Sequence, residues 1–567
     1  MNDMPWISSY PAGVHWDIEI EPKPVQQLLD ETAERWPDKP ALQFEGRRIG
    51  FGELRALADR AAKGLQQQGV GPGVHVGLHL PNTPHYTIAF FGILKAGGTV
   101  VNYSPLDVAK VLEHKIEDSH TDLLFTLDTA SLYPQMAAML DTTRLKRLIV
   151  GTMSEMAPAT GEAARRLAAH GARAEVSWDE RHVRMAQLLN NDGRFVPHPV
   201  ADPLDTVAVL QYTGGTTGLP KGAMLSHGNL VAATAQLRET MQGEPPVLMD
   251  GAERILAVLP PFHIYALTVN MLFGILIGAE VILQLRFDAA AALEAIAAHK
   301  VSCFPGVPTM FTALVGHPDI ERYDLSSLKF CNSGGAPLPQ EVAQRFAAIT
   351  GCALIEGWGM TETSATGTFT PVRGMRKAGA CGLPLPGITI RMLDINAPSR
   401  YVAQGETGEI CIAGPNVTPG YWNKPGATAE MTTFDGLLRT GDVGYMDADG
   451  FVFIVDRTKD MLLCSGYNVY ARVLEEAIYQ HPAVYEAAVV GIPDPYRGQS
   501  PKAFVVLRPQ ASAPTLAELQ TFLKDKLGKH EMVQALEFRD ALPKTAVGKI
   551  SKKELRDEED ARRAVQA

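Results

Sequence analysis

The sequence predicts an α/β protein. A large N-terminal domain of mixed, mainly parallel sheets with helices ends in a small β subdomain, and a smaller α+β domain follows. Three observations predict this. Short apolar runs alternate with amphipathic segments from about residue 25 to 125 and again from 206 to 315, the pattern of βαβ units. From about residue 380 glycine, proline and short β-like runs take over. After Asp456-Arg457 comes a compact piece with its own helices and strands. The expected domains are therefore residues 1–456 and 457–567.

The elements follow in order. Val25 to Trp36 is amphipathic, Ala41 to Phe44 reads as a strand, and Glu45-Gly46 as a turn. Leu54 to Gln68 carries apolar residues at helical spacing and is closed by Gly69. Strands at Val74–Leu78, Val100-Val101 and Leu123–Phe125 enclose helices at Tyr86–Lys95 and Val108–Ile116. Residues 155–200 are polar and alanine-rich, and read as a surface excursion. The alternation resumes with a strand at Thr206–Leu210 and a helix at Leu230–Met241. It continues with a strand at Arg254–Val258, a helix at Ala289–His299, a strand at Val301–Phe304 and a helix at Pro308–Val315. Met271 to Leu285 holds Glu280 and is too short for about 18 uncharged apolar residues, so it reads as a buried helix and strand, not a membrane span. Ile388–Met392 and Gly408–Ile412 suggest a mostly antiparallel subdomain. In the last domain, helices are expected at Val473–Gln480 and Leu516–Leu527, and strands at Ala487–Val490 and Ala503–Leu507.

Composition excludes several function classes. The chain has 567 residues and a formal net charge of −11, which argues against a nucleic-acid surface. Its six cysteines are scattered with no Cys-x-x-Cys pair, so neither a zinc site nor a disulfide framework is indicated. No basic start precedes an apolar core at the N-terminus. A cytoplasmic protein with reduced thiols is the expectation. Homodimerisation and peripheral membrane contact stay open.

The chemistry gathers in five segments. Tyr212-Thr213-Gly214-Gly215-Thr216-Thr217-Gly218-Leu219-Pro220-Lys221-Gly222 follows a strand-like run. Its glycines let backbone N–H groups approach an anion, its threonines add hydroxyl donors and Lys221 adds positive charge, which is the chemistry of a polyphosphate cradle. It is not the P-loop signature, in which Gly-Lys is followed directly by Ser or Thr. Ser333-Gly334-Gly335-Ala336-Pro337 is a second glycine loop. Glu356-Gly357-Trp358-Gly359-Met360-Thr361-Glu362 gathers an aromatic ring, a hydroxyl and a carboxylate. Thr440-Gly441-Asp442 leaves a carboxylate on a tight turn, and Pro543-Lys544-Thr545-Ala546-Val547-Gly548-Lys549-Ile550 presents lysines on a loop.

In this order, the five segments resemble those of the adenylate-forming enzymes: acyl-CoA synthetases, luciferases and peptide-synthetase adenylation domains. Ser226-His227-Gly228-Asn229-Leu230, Gly420-Tyr421-Trp422 and Asp456-Arg457-Thr458-Lys459-Asp460 agree, and the likeness runs from about residue 25 to Arg556. The resemblance implies an N-terminal domain that binds ATP and the acid, and a mobile C-terminal domain. It implies that Thr213, Gly214, Gly215, Thr216, Thr217 and Lys221 hold the β- and γ-phosphates of ATP. Gly334, Gly335, Ala336 and Pro337 would line the adenine slot, beside Glu356 and Gly357, with Trp358 stacked on the ring. Thr361 would bond the α-phosphate and Glu362 would bind Mg²⁺, as a hard carboxylate can. Asp442 and Arg457 would hold the ribose hydroxyls. Lys549 would carry adenylation, its ammonium bridging carboxylate and phosphate as charge crowds in the transition state. The C-terminal domain would pivot near Lys459 between two half-reactions, with Gly466 near the tunnel for the coenzyme A thiol.

Phe262-His263-Ile264-Tyr265-Ala266-Leu267 resembles the segment bordering the acyl tunnel of fatty acyl-CoA synthetases. It lacks the aspartate that amino-acid-activating relatives carry nearby. With Pro305-Gly306, the resemblance implies that His263 and Gly306 border an apolar acid. The whole chain is most similar to bacterial long-chain fatty acid–CoA ligases, so a medium- or long-chain fatty acid, ATP and CoA are the expected substrates. Dicarboxylic or aromatic acids, and transfer to a carrier protein, are the alternatives. Retention of Glu362, Asp442, Arg457 and Lys549 argues against a non-catalytic relative. One departure stands out: after Ser465-Gly466-Tyr467-Asn468-Val469-Tyr470 the family has proline and then an acidic residue two on, where this chain has Ala471 and Val473.

Overall fold

A computed structural model describes residues 4–156, 172–213, 219–336, 338–465, 467–544 and 550–566. The chain divides into two compact units, Met1–Thr389 with Ala413–Thr432, and Ile390–Ile412 with Thr433–Ala567. The sequence boundary at residues 456 and 457 falls inside the second unit.

The first unit holds fourteen strands of two seven-stranded sheets. In chain order they are β1 (Pro40–Phe44), β2 (Arg47–Gly50), β3 (His75–Leu78), β4 (Thr99–Asn102), β5 (Thr121–Leu127), β6 (Arg147–Gly151), β7 (His182–Arg184), β8 (Val207–Thr213), β9 (Lys221–Ser226), β10 (Arg254–Ala257), β11 (Glu280–Leu283), β12 (Cys303–Gly306), β13 (Phe330–Ser333) and β14 (Leu354–Glu356). One sheet runs β7-β6-β5-β3-β4-β8-β9 and the other β14-β13-β12-β10-β11-β1-β2. All their pairings are parallel except the edge hairpins β8–β9 and β1–β2. This is the mainly parallel α/β architecture that the alternation predicts.

One core cluster joins residues of both sheets, such as Leu42 and Phe44 with Val76 and Leu78, to the helices Phe51–Gln67 and Pro84–Lys95. Every residue of Pro84–Lys95 is buried, as expected of a helix covered on all sides. Its one charge, Lys95, is matched by Asp30 and Asp59.

Several expected elements keep their place. The helices Ala289–His299 and Pro308–Val315 have the bounds read from sequence, and Pro308 supplies the fixed φ that suits a first turn. The 271–285 run is a π-helical stretch, Ala266–Leu272, then a short helix, Phe273–Leu276, then β11. Among the described residues no helix is long and apolar enough to cross a membrane. The structure adds three elements the pattern did not show. Lys221–Ser226 is a strand, where the sequence reading assigned no element. Tyr133–Thr142 is a helix, and β7 lies within the stretch read as an excursion.

In the second unit, β17 (Thr389–Leu393), β18 (Gly408–Ala413), β19 (Leu438–Met446) and β20 (Val452–Arg457) form a four-stranded sheet, numbered after the short pair β15 (Thr368–Phe369) and β16 (Leu383–Pro384) of the first unit. The β18–β19 and β19–β20 pairings are antiparallel, as expected of the subdomain. A second sheet, built on the long hairpin Val484–Asp494 and Gly498–Leu507 with the first of these strands at its edge, packs against the helix Ala471–Tyr479. That helix begins at Ala471, so replacing proline there leaves its start in place.

Candidate active site

In the first unit the expected residues sit at strand ends. Gly306, Ser333 and Glu356 end three neighbouring parallel strands and are paired in register, Gly306 with Ser333 and Ser333 with Glu356. The carboxyl ends of parallel strands are where open α/β sheets take ligands. The Gly334 N–H donates to the Gly306 carbonyl at 3.1 Å. Gly334 is small for a reason: a Cβ there would lie 3.1 Å from the Tyr265 ring. Glu356 accepts the Leu338 N–H at 3.1 Å, tying down the far side of the loop that contains Gly335 and Ala336. Pro337 lies outside the described residues.

The stretch after β14 doubles back on itself. The Trp358 carbonyl accepts the Gly367 and Thr368 N–H groups at 2.8 and 2.9 Å, and Trp358 is 9% exposed. Gly357 precedes it beside Asn332, and Gly359 follows at a close backbone approach, where a Cβ would come within 2.1 Å of the Ala365 carbonyl. Thr361 and Glu362 lie in the 3-10 turn Thr361–Thr363. Asn416 holds that turn, donating to the Thr363 and Thr366 carbonyls at 2.8 and 2.6 Å.

Glu362 and Lys221 are brought together through a residue that carried no role in the sequence reading. Tyr421 donates its hydroxyl to Glu362 Oε1 at 2.6 Å, and the Lys221 ammonium lies 5.3 Å from the Tyr421 ring centre. Burial, and then the Glu362 charge, push the Tyr421 hydroxyl well above its ordinary pKa, so it stays a donor. Tyr421 is placed by backbone pairing, since the 418–422 segment runs beside β9. The Met224 N–H donates to the Gly420 carbonyl at 2.9 Å and the Trp422 N–H to the Gly222 carbonyl at 2.8 Å. Its only sequence signal was the Gly420-Tyr421-Trp422 motif. Thr213 and Lys221 face each other across the β8–β9 hairpin. Gly214, Gly215, Thr216 and Thr217, which join them, lie outside the described residues.

A single buried carboxylate with a phenol beside it is not a metal cage, and among the described residues no group of three or more His, Cys, Asp or Glu side chains is placed to hold a metal ion. It does fit magnesium, which is held by one or two carboxylates and takes its remaining ligands from substrate phosphates and water.

His263 ends the turn that enters the helical stretch, and Tyr265 stands in its first turn, directly before Ala266–Leu272. His263 Nδ1 accepts the Tyr265 N–H at 3.3 Å, and the Leu267 N–H donates to the His263 carbonyl at 3.0 Å.

In the second unit Asp442 and Arg457 are register partners on β19 and β20, their side chains paired at 2.9 Å. Asp442 is buried and the Arg457 side chain is half-exposed. Lys459 follows on an exposed turn in which the Asp460 and Met461 N–H groups donate to the Arg457 carbonyl. A charged network surrounds this turn. Arg556 pairs with Asp460 at 2.6 Å and Lys552 with Glu475 at 2.8 Å. Burial pushes the Asp460 carboxyl up, but Arg556 and Lys552 pull it below its ordinary value. Burial raises Asp456, whose Oδ2 has no hydrogen-bond partner, while Lys552 and the Ala471 N–H lower it. Proline at 471 would remove that N–H. Lys549 and Gly466 lie outside the described residues.

The family model for the AMP-binding enzyme matches residues 29–422, and that for the AMP-binding enzyme C-terminal domain matches 473–549. The chain is 39% identical over 558 residues to a long-chain-fatty-acid–CoA ligase of Bacillus subtilis (strain 168), covering 98% of both. Among solved structures it resembles ATP-bound MatB from Rhodopseudomonas palustris, at 26% identity and a TM-score of 0.80 over 94% of this chain and 99% of that one. It also resembles the anthranilate CoA ligase AuaEII in complex with anthranoyl-AMP, at 25% identity and a TM-score of 0.83 over 96% and 98%. With its motifs in order and its strand ends in register, the chain belongs to the AMP-binding enzyme family and is an acid–thiol ligase of the adenylate-forming acyl-CoA ligase superfamily.

Proposed function

We propose that the chain joins a medium- or long-chain fatty acid to coenzyme A in two steps. The acid's carboxylate attacks the α-phosphorus of ATP, forming an acyl-adenylate and releasing diphosphate. The CoA thiol then attacks the acyl carbon and AMP leaves.

The observation that carries the fatty-acid reading is the 39% identical curated relative, a long-chain-fatty-acid–CoA ligase. The mainly apolar packing around Pro261 and Ala266, with Leu259, Met271, Val281 and Leu283, is in keeping with an apolar acid. An aromatic acid is the second reading, favoured by the anthranilate-activating structural neighbour.

The residue roles follow from chemistry. Thr213, Gly214, Gly215, Thr216, Thr217 and Lys221 take the phosphates, with Lys221 supplying charge. Gly334, Gly335, Ala336, Pro337 and Gly357 leave room for a flat ring, Glu356 fastens that loop, and Trp358 offers a stacking face. Thr361 donates to the α-phosphate. Glu362, oriented by Tyr421, would hold Mg²⁺, which when bound supplies positive charge to the phosphate oxygens. Asp442 accepts from the ribose hydroxyls with Arg457 beside it. Lys549 stabilises the crowded charge as the carboxylate attacks. Lys459 is the hinge, Gly466 lies by the thiol path, and His263 and Gly306 border the acyl group. Residues 1–456 act as the nucleotide- and acid-binding part and 457–567 as the part that brings Lys549.

The test is AMP release from MgATP by the purified protein, with and without CoA, across C4 to C18 fatty acids, C7 to C10 diacids and benzoate. CoA-dependent release with C8 to C18 acids is expected. Release with benzoate or the diacids alone overturns the fatty-acid reading, and diphosphate exchange without CoA-dependent turnover points to a carrier-protein acceptor.

A further inference from the structure

The segment Phe262–Tyr265, a turn running into a helix, is gripped on two sides by buried neutral groups. On one side Tyr86 donates its hydroxyl to Asn102 Oδ1 at 2.8 Å. Asn102 Nδ2 donates to Gln211 Oε1 at 2.8 Å, and Gln211 Nε2 donates to the Phe262 carbonyl at 2.8 Å. Tyr86, Asn102 and Gln211 are 1%, 2% and 5% exposed. On the other side Tyr265 donates its hydroxyl to Asn332 Oδ1 at 2.5 Å, next to the Ser333-Gly334 loop. Both amide orientations follow from the ends of the chain. The Phe262 carbonyl can only accept, so Gln211 must turn its NH₂ toward it and its oxygen toward Asn102. Asn102 then presents its own oxygen to the phenol.

Gln211 lies on β8 two residues before Thr213. The relay therefore ties the strand that leads into the phosphate loop to the backbone of the residue before His263. Removing one member strands the next buried polar group without a partner.

We propose that Gln211 is a positioning residue for the adenylation step: by holding the Phe262 carbonyl it fixes the His263 loop against the phosphate strand, so that the acid's carboxylate and the nucleotide's phosphates meet in register. This rests on the proposed reading that His263 borders the acid and that Thr213 and Lys221 border the phosphates. Gln211 touches neither substrate and acts through the loop.

Gln211→Glu is the informative variant. A protonated glutamic acid accepts from Asn102 and still donates to the Phe262 carbonyl; an ionised one only accepts and repels that carbonyl. Burial raises a carboxyl pKa, which brings the change into the working range. The measurement is acid-dependent ATP–diphosphate exchange by the full chain between pH 6 and 8.5, expressed as the ratio of variant to wild type. The ratio should fall about tenfold as pH rises, through a higher KM for the acid with the KM for ATP unchanged. A flat ratio with an active wild type overturns the inference alone. A wild type inactive with every acid overturns the reading of the site and the inference with it. If Gln211→Glu does not fold, Gln211→Met, uncharged and of similar length, should raise the acid KM about tenfold at an unchanged ATP KM. No change, or equal changes in both constants, overturns the proposal.

Discussion

Around Glu362 the side chains that hold the backbone are neutral and buried, whereas around Asp460 they are charged pairs. In the first unit Asn416 spans the Thr361 turn, and Asn229 donates to the Pro415 and Val417 carbonyls at 2.8 and 2.9 Å. In the second, Arg556–Asp460, Lys552–Glu475 and Arg457–Asp442 do the equivalent work. A neutral amide bonded to two carbonyls has one good geometry and little long-range field. An ion pair attracts over a longer range and tolerates a shift of an ångström, but its buried charge becomes costly once the partner is gone. The first device suits groups that must match a rigid nucleotide. The second suits a segment proposed to pivot at Lys459.

Four substitutions would break or sharpen this contrast. The largest effect is expected at Lys549. Lys549→Ala should lower adenylate formation at least about 10³-fold while ATP affinity changes only a few-fold, because ATP binding is assigned to other residues and charge stabilisation to Lys549. ATP–diphosphate exchange and equilibrium ATP binding measure the two. Unchanged exchange would remove Lys549 from the mechanism.

Next come the supports. Glu475→Gln leaves the Lys552 ammonium without its carboxylate and should destabilise the second unit by about 3 kcal/mol. Asn416→Ala strands two carbonyls in the first and should cost about 2 kcal/mol. Amide hydrogen exchange reads each unit separately. Equal costs, or a larger one for Asn416→Ala, would contradict the comparison.

The last effect, of the same size as that of Asn416→Ala, concerns pH. Burial lowers the His227 pKa to about 4, against 6.5 for an unperturbed side chain, and its Nδ1 accepts the Val25 N–H at 3.0 Å. The folded state therefore binds the proton less well than the unfolded one. The stabilising contribution is complete above pH 6.5 and is lost as pH falls toward 4, about 2 kcal/mol of it between pH 7.5 and 5. In the second unit the corresponding loss comes lower. Burial alone would raise Glu537, but Arg562, Lys502 and Arg539 bring it to about 2, so its contribution is present above pH 4.5 and fades toward pH 2. Hydrogen exchange at pH 7.5, 6 and 5 should show the first unit weakening while the Glu537 pairs hold. His227→Asn, which keeps an acceptor, should remove most of the step between pH 7.5 and 5. A step of unchanged size in that variant would clear His227.

Much of the fold was legible because it depends on near neighbours in the chain. Apolar spacing, a proline at a first helical turn and glycine after a last one marked helices such as Pro308–Val315 and Phe51–Gln67 within a few residues. The five motifs were legible because each packs its chemistry into a few consecutive positions. Where local signals conflict, the pattern failed: Lys221–Ser226 contains a glycine and follows a stretch rich in glycine and threonine, yet pairing with β8 makes it a strand.

What the sequence determined by itself is the family, the alternation of elements and the residue types offered for phosphate, ring and ribose. Only the tertiary structure decided which side chains meet. Tyr421 reaches Glu362 across 59 positions, Gln211 reaches the Phe262 carbonyl across 51, and Tyr265 reaches Asn332 across 67. No periodicity encodes such pairs, because they depend on which strands become neighbours. That order is set by burial of whole faces, a sum over many residues, and not by the few that use the resulting geometry.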